Sequence, residues 1–212
     1  MFSENRWLLP DGIGDILPEN AGQLESLRRK LLDQFATWGY QYVIPPLVEF
    51  TDSLLVGLGE DLDLLTCKFS DLGSGRTLGV RADMTPQVAR IDAHSLCYPG
   101  IARLCYSGST LFSNARRVME GRAPIQLGAE LFGSESHEAD SEIVLLMLAT
   151  LQAAEIRPKL TLDIGHIGIY DALFRRAGLD KETEQRLFAA LQRKSLPEIR
   201  RLSKSLPNKL GV

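Results

Sequence analysis

The chain has 212 residues, 44% of them hydrophobic and 24% charged, with a formal net charge of -3. That is the composition of an ordinary globular protein with a buried core, and it excludes a disordered or low-complexity chain. The pI near 5.7 carries no global basic excess of the kind nucleic-acid binding calls for.

The opening MFSENRWLLPDG has neither a basic n-region nor an apolar h-region. The segment LLPDGIGDILPEN then reads as an irregular arm, because Pro10, Gly12, Gly14 and Pro18 favour turns. From Ala21 a helix is expected. Leu24, Leu27, Leu31, Phe35 and Trp38 recur at three- and four-residue steps, placing them on one face opposite Arg28, Arg29, Lys30 and Asp33. Gly39 is suited to end that helix. YQYVIPPLVEF is β-branched and aromatic, with Pro45 and Pro46 limiting it to an edge strand or a strand end.

A glycine-rich turn, DLGSG, leads into a short strand at 77–80. In ADMTPQVARI a helix begins, with Thr85 as N-cap and Pro86 at the first helical position. ARLCYSGSTLF and IQLGAELFG alternate in the manner of strands and form a hairpin with a long charged tip. SESHEADSEIVLLMLATLQAA is an amphipathic helix whose acidic first turn suits the helix dipole. Its apolar run at 143–149 is far short of the roughly 20 residues of a membrane span. KLTLDIGH reads as a further strand, and the chain from Tyr170 onward as helical.

Strands and helices in irregular order, with hairpins in place of steady βαβ repeats, predict an α+β fold on a largely antiparallel sheet. Cys67, Cys97 and Cys105 lack CxxC spacing and read as free thiols of a reducing compartment, so the expected location is cytoplasmic and no metal site is expected. HExxH, GxxxxGK[ST], GxGxxG and GxSxG are all missing, which removes metalloprotease, Walker-type, Rossmann and α/β-hydrolase readings.

Six segments together resemble the histidyl-tRNA synthetases. LPDGIGDILPENA is similar to the arm that begins them, and GYQYVIPPLVEF to the class II synthetase motif 1, which lies at a dimer interface. VRADMTPQVAR resembles the LRPEGT segment, and CYSGSTLFSNARRVMEGRAPIQLGAELFG resembles motif 2. HEADSEIVLLML and LDIGHIGI follow in the same order. The resemblance spans roughly residues 8–170. It implies a class II synthetase-like domain over 1–170, incomplete without downstream sequence, and the start of a helical insertion over 171–212.

Within that resemblance the phosphate-gripping core of motif 2, F-R-x-E, falls on Phe112-Ser113-Asn114-Ala115. A hydroxyl replaces a guanidinium whose planar fork makes two charge-assisted bonds to phosphate. Arg116 and Arg117 follow on the hairpin tip, where the expected state is solvated. The residues that hold the amino acid fall on Asp83 and Thr85 for its ammonium, and on Gln126 and Glu130 further on. Gln126 and Glu130, four apart on a strand, share a face. Arg81 and Arg90 are either ligand contacts or structural ion pairs. His94, His137 and His166 read as structural.

The combination resembles the synthetase paralogues that serve as regulatory subunits of ATP phosphoribosyltransferase. It implies a non-catalytic subunit that assembles with a short catalytic subunit in histidine biosynthesis, takes part in feedback inhibition by L-histidine, and needs no cofactor. A homodimer through the motif 1-like helix and strand is implied as well, with no membrane and no tRNA. An active synthetase and an assembly scaffold with a vestigial pocket are the alternatives.

Overall fold

In the computed structural model, which describes residues 7–57, 60–115, 121–156 and 159–203, the apolar stripe from Leu24 onward lies on helix α1, Pro18–Thr37. A proline opens α1, where its fixed φ suits the first turn and its missing N–H costs nothing. Leu31 and Phe35 are buried, whereas Leu27 stays at the rim. The helix ends in a Schellman arrangement: Tyr40 N–H reaches Phe35 O at 3.1 Å and Gly39 N–H reaches Ala36 O at 3.0 Å. Gly39 has φ +85°, which a side chain would strain. The Tyr40 and Phe35 rings, 6.4 Å apart, supply the apolar contact of that motif.

Two units make up the chain, Met1–Arg157 and Pro158–Val212. In the first, the expected strand through Pro45-Pro46 is split in two. β1 (Gln41–Tyr42) and β2 (Val48–Phe50) lie in different sheets, since two prolines in succession cannot donate to a ladder. β2 pairs with β4 (Thr77–Val80), which pairs with β3 (Cys67–Ser70), all antiparallel. Between β2 and β3 stand two short helices, α2 (Thr51–Leu54) and α3 (Glu60–Leu65). Sequence reasoning assigned neither these helices nor β3.

The other sheet carries the expected hairpin. β5 (Ala102–Ser109) and β6 (Ile125–Phe132) are antiparallel over eight residues each, and β1 lies parallel to β5 on its far side. All strand pairs but β1–β5 are antiparallel, in line with the α+β expectation. On one face, α1 and α5 (His137–Ala153) bury Phe35, Tyr40, Cys105 and Leu146, with Phe35 and Leu146 each worth on the order of 1.5–3 kcal/mol. Ser136 caps α5 by accepting from Ala139 N–H. Glu142 on α5 accepts both arms of the Arg103 guanidinium at 2.7 Å and the Tyr40 hydroxyl at 3.0 Å, tying α5 to β5. On the opposite face, Val88 of α4 (Thr85–Arg90) and Met84 just before it pack onto Leu104 and Tyr106. A π-helical turn at Ile91–Leu96 extends α4 and stops at Cys97, in the left-handed region.

The second unit has its own core. α6 (Ile167–Ala177), α7 (Lys181–Gln192) and α8 (Leu196–Ser203) bury Phe174, Leu187, Ala190 and Leu202 together. Asp180 caps α7 by accepting from Thr183 N–H at 2.8 Å. The strand expected at 159–166 does not form: these residues are exposed and enter no ladder among the described residues. Alternation alone does not make a strand without a neighbour to bond. Among the described residues no helix is long and apolar enough to cross a membrane.

Candidate functional site

The register of the hairpin determines which side chains meet. Leu104, Tyr106 and Gly108 stand opposite Glu130, Gly128 and Gln126, so all six lie on the face that receives α4. The turn Asp83-Met84-Thr85 enters above this face, anchored by Met84, which is 1% exposed.

A continuous hydrogen-bond chain joins the four residues that the resemblance singled out. Asp83 Oδ1 accepts from Gln126 Nε2 at 2.7 Å and from Thr85 N–H at 3.0 Å. Gln126 Oε1 accepts from Met84 N–H at 2.9 Å, so both ends of its amide are fixed. The Thr85 hydroxyl lies 3.0 Å from the Tyr106 hydroxyl, which donates to Glu130 Oε1 at 3.0 Å. With the phenol proton committed to Glu130, Thr85 is the donor to Tyr106. Burial, and behind it the Glu130 carboxylate, push the Tyr106 phenol well above its ordinary value, whereas Thr85 works in the opposite direction.

Thr85 is therefore not the N-cap expected of it. Its hydroxyl is turned into the site, and the side chain that accepts the free N–H there is Asp83. Tyr106 joins the two halves of the network and was missed. The available signal was a tyrosine facing a glycine in a hairpin. A Cβ on Gly128 would come within 2.9 Å of Tyr106 Cε2 and closer still to its hydroxyl. The glycine lets the ring lie across the strand.

Asp83 Oδ2 and Glu130 Oε2 have no hydrogen-bond partner among the described residues. Two half-buried carboxylates with free lone pairs, held in place by an amide, a hydroxyl and a phenol, can accept from an ammonium and from a ring N–H. Beside Thr85, residues Ser53, Val56, Pro86, Ala89 and His94 border a cavity of about 480 Å³.

Arg90 pairs with Glu49 through two contacts, at 2.6 and 3.2 Å, and Gln87 also donates to Glu49. Its role is a structural ion pair. Arg81 is 6% exposed and donates to Ser109 O and Pro45 O, both at 2.8 Å. Burial pulls its pKa down, and no carboxylate pairs with it among the described residues. It ties the β1–β2 connection to the end of β5. His166 accepts from Gly168 N–H at the start of α6, a structural use.

At the base of the hairpin, Ser113 is fully engaged with the main chain. Its hydroxyl donates to Leu64 O at 2.6 Å and its N–H to Leu65 O at 2.8 Å. Arg122 holds the N-terminal arm there: its N–H reaches Gly12 O at 2.6 Å, and Nε reaches Phe112 O at 3.0 Å. Arg116 and Arg117 lie outside the described residues. Among the described residues no group of histidine, cysteine, aspartate and glutamate is placed to hold a metal ion.

The histidyl-tRNA synthetase family profile matches residues 12–210. Relatives named ATP phosphoribosyltransferase regulatory subunit include one from Marinobacter nauticus, 54% identical over 95% of this chain and 51% of its own length. Another, from Pseudomonas paraeruginosa, is 52% identical over 99% of this chain and 53% of its own. This chain spans about half the length of such relatives. Among solved structures, a regulatory subunit/histidyl-tRNA synthetase from Bacillus halodurans superposes with a TM-score of 0.82 at 30% identity, over 97% of this chain and 53% of that one.

Proposed function

This chain belongs to the histidyl-tRNA synthetase family, and from that premise we propose that it is the synthetase-like portion of a regulatory subunit of ATP phosphoribosyltransferase. In this reading it does no chemistry. It assembles in the cytoplasm with a short catalytic subunit, which needs it for activity in histidine biosynthesis, and it takes up L-histidine as the feedback signal. The relatives at 52–54% identity carry that name.

The observation that carries the reading is a contrast between the hairpin face under α4 and the base of the same hairpin. Asp83, Thr85, Gln126 and Glu130, linked through Tyr106, form a connected hydrogen-bond network with two carboxylate oxygens to spare. By the resemblance, the motif 2 arginine of the synthetases falls on Ser113, whose hydroxyl and N–H are bound to Leu64 O and Leu65 O. In this reading the amino-acid site is kept while the phosphate grip is not. Loss of one preorganised donor to developing charge costs on the order of 10²–10³ in rate.

Feedback then follows from linkage. Histidine inhibits the partner enzyme only by favouring one state of the assembly over another. The motif 1-like segment from Leu24 to Phe50 supplies a two-fold homodimer contact in this reading, and tRNA is not a partner. The experiment is to combine the full-length protein with a short-form ATP phosphoribosyltransferase, with and without histidine, and to assay histidine-dependent ATP–pyrophosphate exchange in parallel. Activation of the transferase with no exchange is expected. Exchange above background would return the chain to the synthetases.

A further inference from the structure

The charge of the chain is divided between its two units. Residues 158–212 hold eleven of the 24 lysines and arginines and six of the 27 acidic residues, which leaves +5. Residues 1–157 hold the other thirteen bases and twenty-one acids, which leaves -8, and together these give the -3 of the whole chain. A near-neutral total hides a basic module.

Packing places that charge. Phe174, Leu187 and Leu202 meet in one buried cluster. Arg175 follows the first of them and Arg176 comes next, Arg186 precedes the second, and Arg200 and Arg201 precede the third. The three helices therefore set five exposed arginines around a single buried cluster. None of the five enters a salt bridge among the described residues, whereas Arg193 of the same unit pairs with Glu198 at 2.9 Å. The acids that might offset them are partly occupied: Asp180 is taken up in capping α7. Some of this charge suits helix C-termini, because Arg175, Arg176, Arg200 and Arg201 stand in last turns. That effect does not account for Arg186 or for the unit's net excess.

We propose that this arginine rim is a docking surface for an acidic face of a second protein; on the regulatory reading above, that protein is the catalytic subunit. Arginine forks match carboxylates two bonds at a time, and a cationic patch speeds encounter with an acidic partner. The unit is poorly equipped for nucleic acid. Of its three aromatic rings, Phe174 and Phe188 are taken up in the core and only Tyr170 is exposed, so no row of rings is offered to stack on successive bases.

The test uses the whole chain and the variant Arg175→Gln/Arg176→Gln/Arg200→Gln/Arg201→Gln, which leaves the buried cluster untouched, with its fold checked by circular dichroism. Poly-L-glutamate is the first probe, titrated at rising salt. Wild type should bind it in a salt-sensitive way, and the variant should bind about tenfold or more weakly at low salt. No binding by wild type, equal binding by the variant, or tighter binding of single-stranded RNA than of poly-L-glutamate would each overturn the proposal. A short-form catalytic subunit is the second probe. If wild type binds poly-L-glutamate but no catalytic subunit at any salt, the regulatory reading fails while the acidic-partner surface stands.

Discussion

Tyr106 donates its hydroxyl to Glu130 across the hairpin at 3.0 Å while accepting from Thr85 at the same distance. The phenol thereby couples the turn above the sheet to the sheet itself, and it orients the carboxylate whose second oxygen is left for a ligand. Tyr106→Phe keeps the packing against Met84 and Leu104 and removes only the hydroxyl. A hydrogen bond to a charged group is worth about 1.5–3 kcal/mol. Calorimetric titration of the full-length protein with histidine should show affinity falling by about tenfold or more, and the melting temperature should fall as well, because the same bond ties the turn to the sheet. Unchanged affinity would mean that Glu130 is positioned by something other than Tyr106.

Gly128→Ala tests the same geometry from the opposite strand. The new Cβ meets the Tyr106 ring, with Cε2 at 2.9 Å, and displaces it from Glu130. Overpacking of this kind costs about 1–3 kcal/mol. Denaturant unfolding should report that loss, and histidine binding should weaken along with it. Double substitution with Tyr106→Ala makes room for the Cβ, so the stability cost of Gly128→Ala should shrink in that background.

Arg81→Met should be strongly destabilising although it removes a buried cation that has no acid beside it. The guanidinium satisfies the carbonyls of Pro45 and Ser109. Its loss strands buried acceptors at about 1–3 kcal/mol each. Arg81→Lys should rescue little, because a single ammonium cannot span both acceptors. Urea unfolding midpoints decide it, and a lysine variant as stable as wild type would contradict the clamp.

Glu142 is held below the usual carboxylate range, first by Arg103 and then by Tyr40. Its folded pKa is depressed, so its contribution is present above the unfolded value, near 4.3, and is lost as the pH falls through the folded value. Glu142→Gln should cost about 1–3 kcal/mol at neutral pH, and the difference from wild type should narrow below about pH 4. A constant difference across that range would assign the loss to packing alone.

Much of the first unit was legible because its signals are local. The stripe Leu31–Phe35, the glycine at 39, the hairpin and the acidic first turn of α5 all follow from spacing and turn chemistry. The four pocket residues came from the resemblance, and no local pattern names them. Tyr106 escaped because its role depends on the cross-strand register that sets it over Gly128, which no single segment displays. Thr85 was read as a cap for the opposite reason: its local pattern is correct for one, and the tertiary contact with Tyr106 takes precedence. The alternation in KLTLDIGH predicted a strand, but pairing is a property of two segments. The short elements between Thr51 and Ser70 carry too few residues for a period to show.

Histidine inhibition of the complex between the full-length protein and a short-form ATP phosphoribosyltransferase, compared for wild type and Glu130→Ala, tests the central claim most directly. With histidine bound against Glu130, the substitution removes a charged acceptor, and the half-inhibitory concentration should rise by about tenfold or more while basal activity of the complex is kept. If Glu130→Ala assembles normally and responds to histidine as wild type does, the pocket is not the sensor and this chain serves the enzyme as a scaffold.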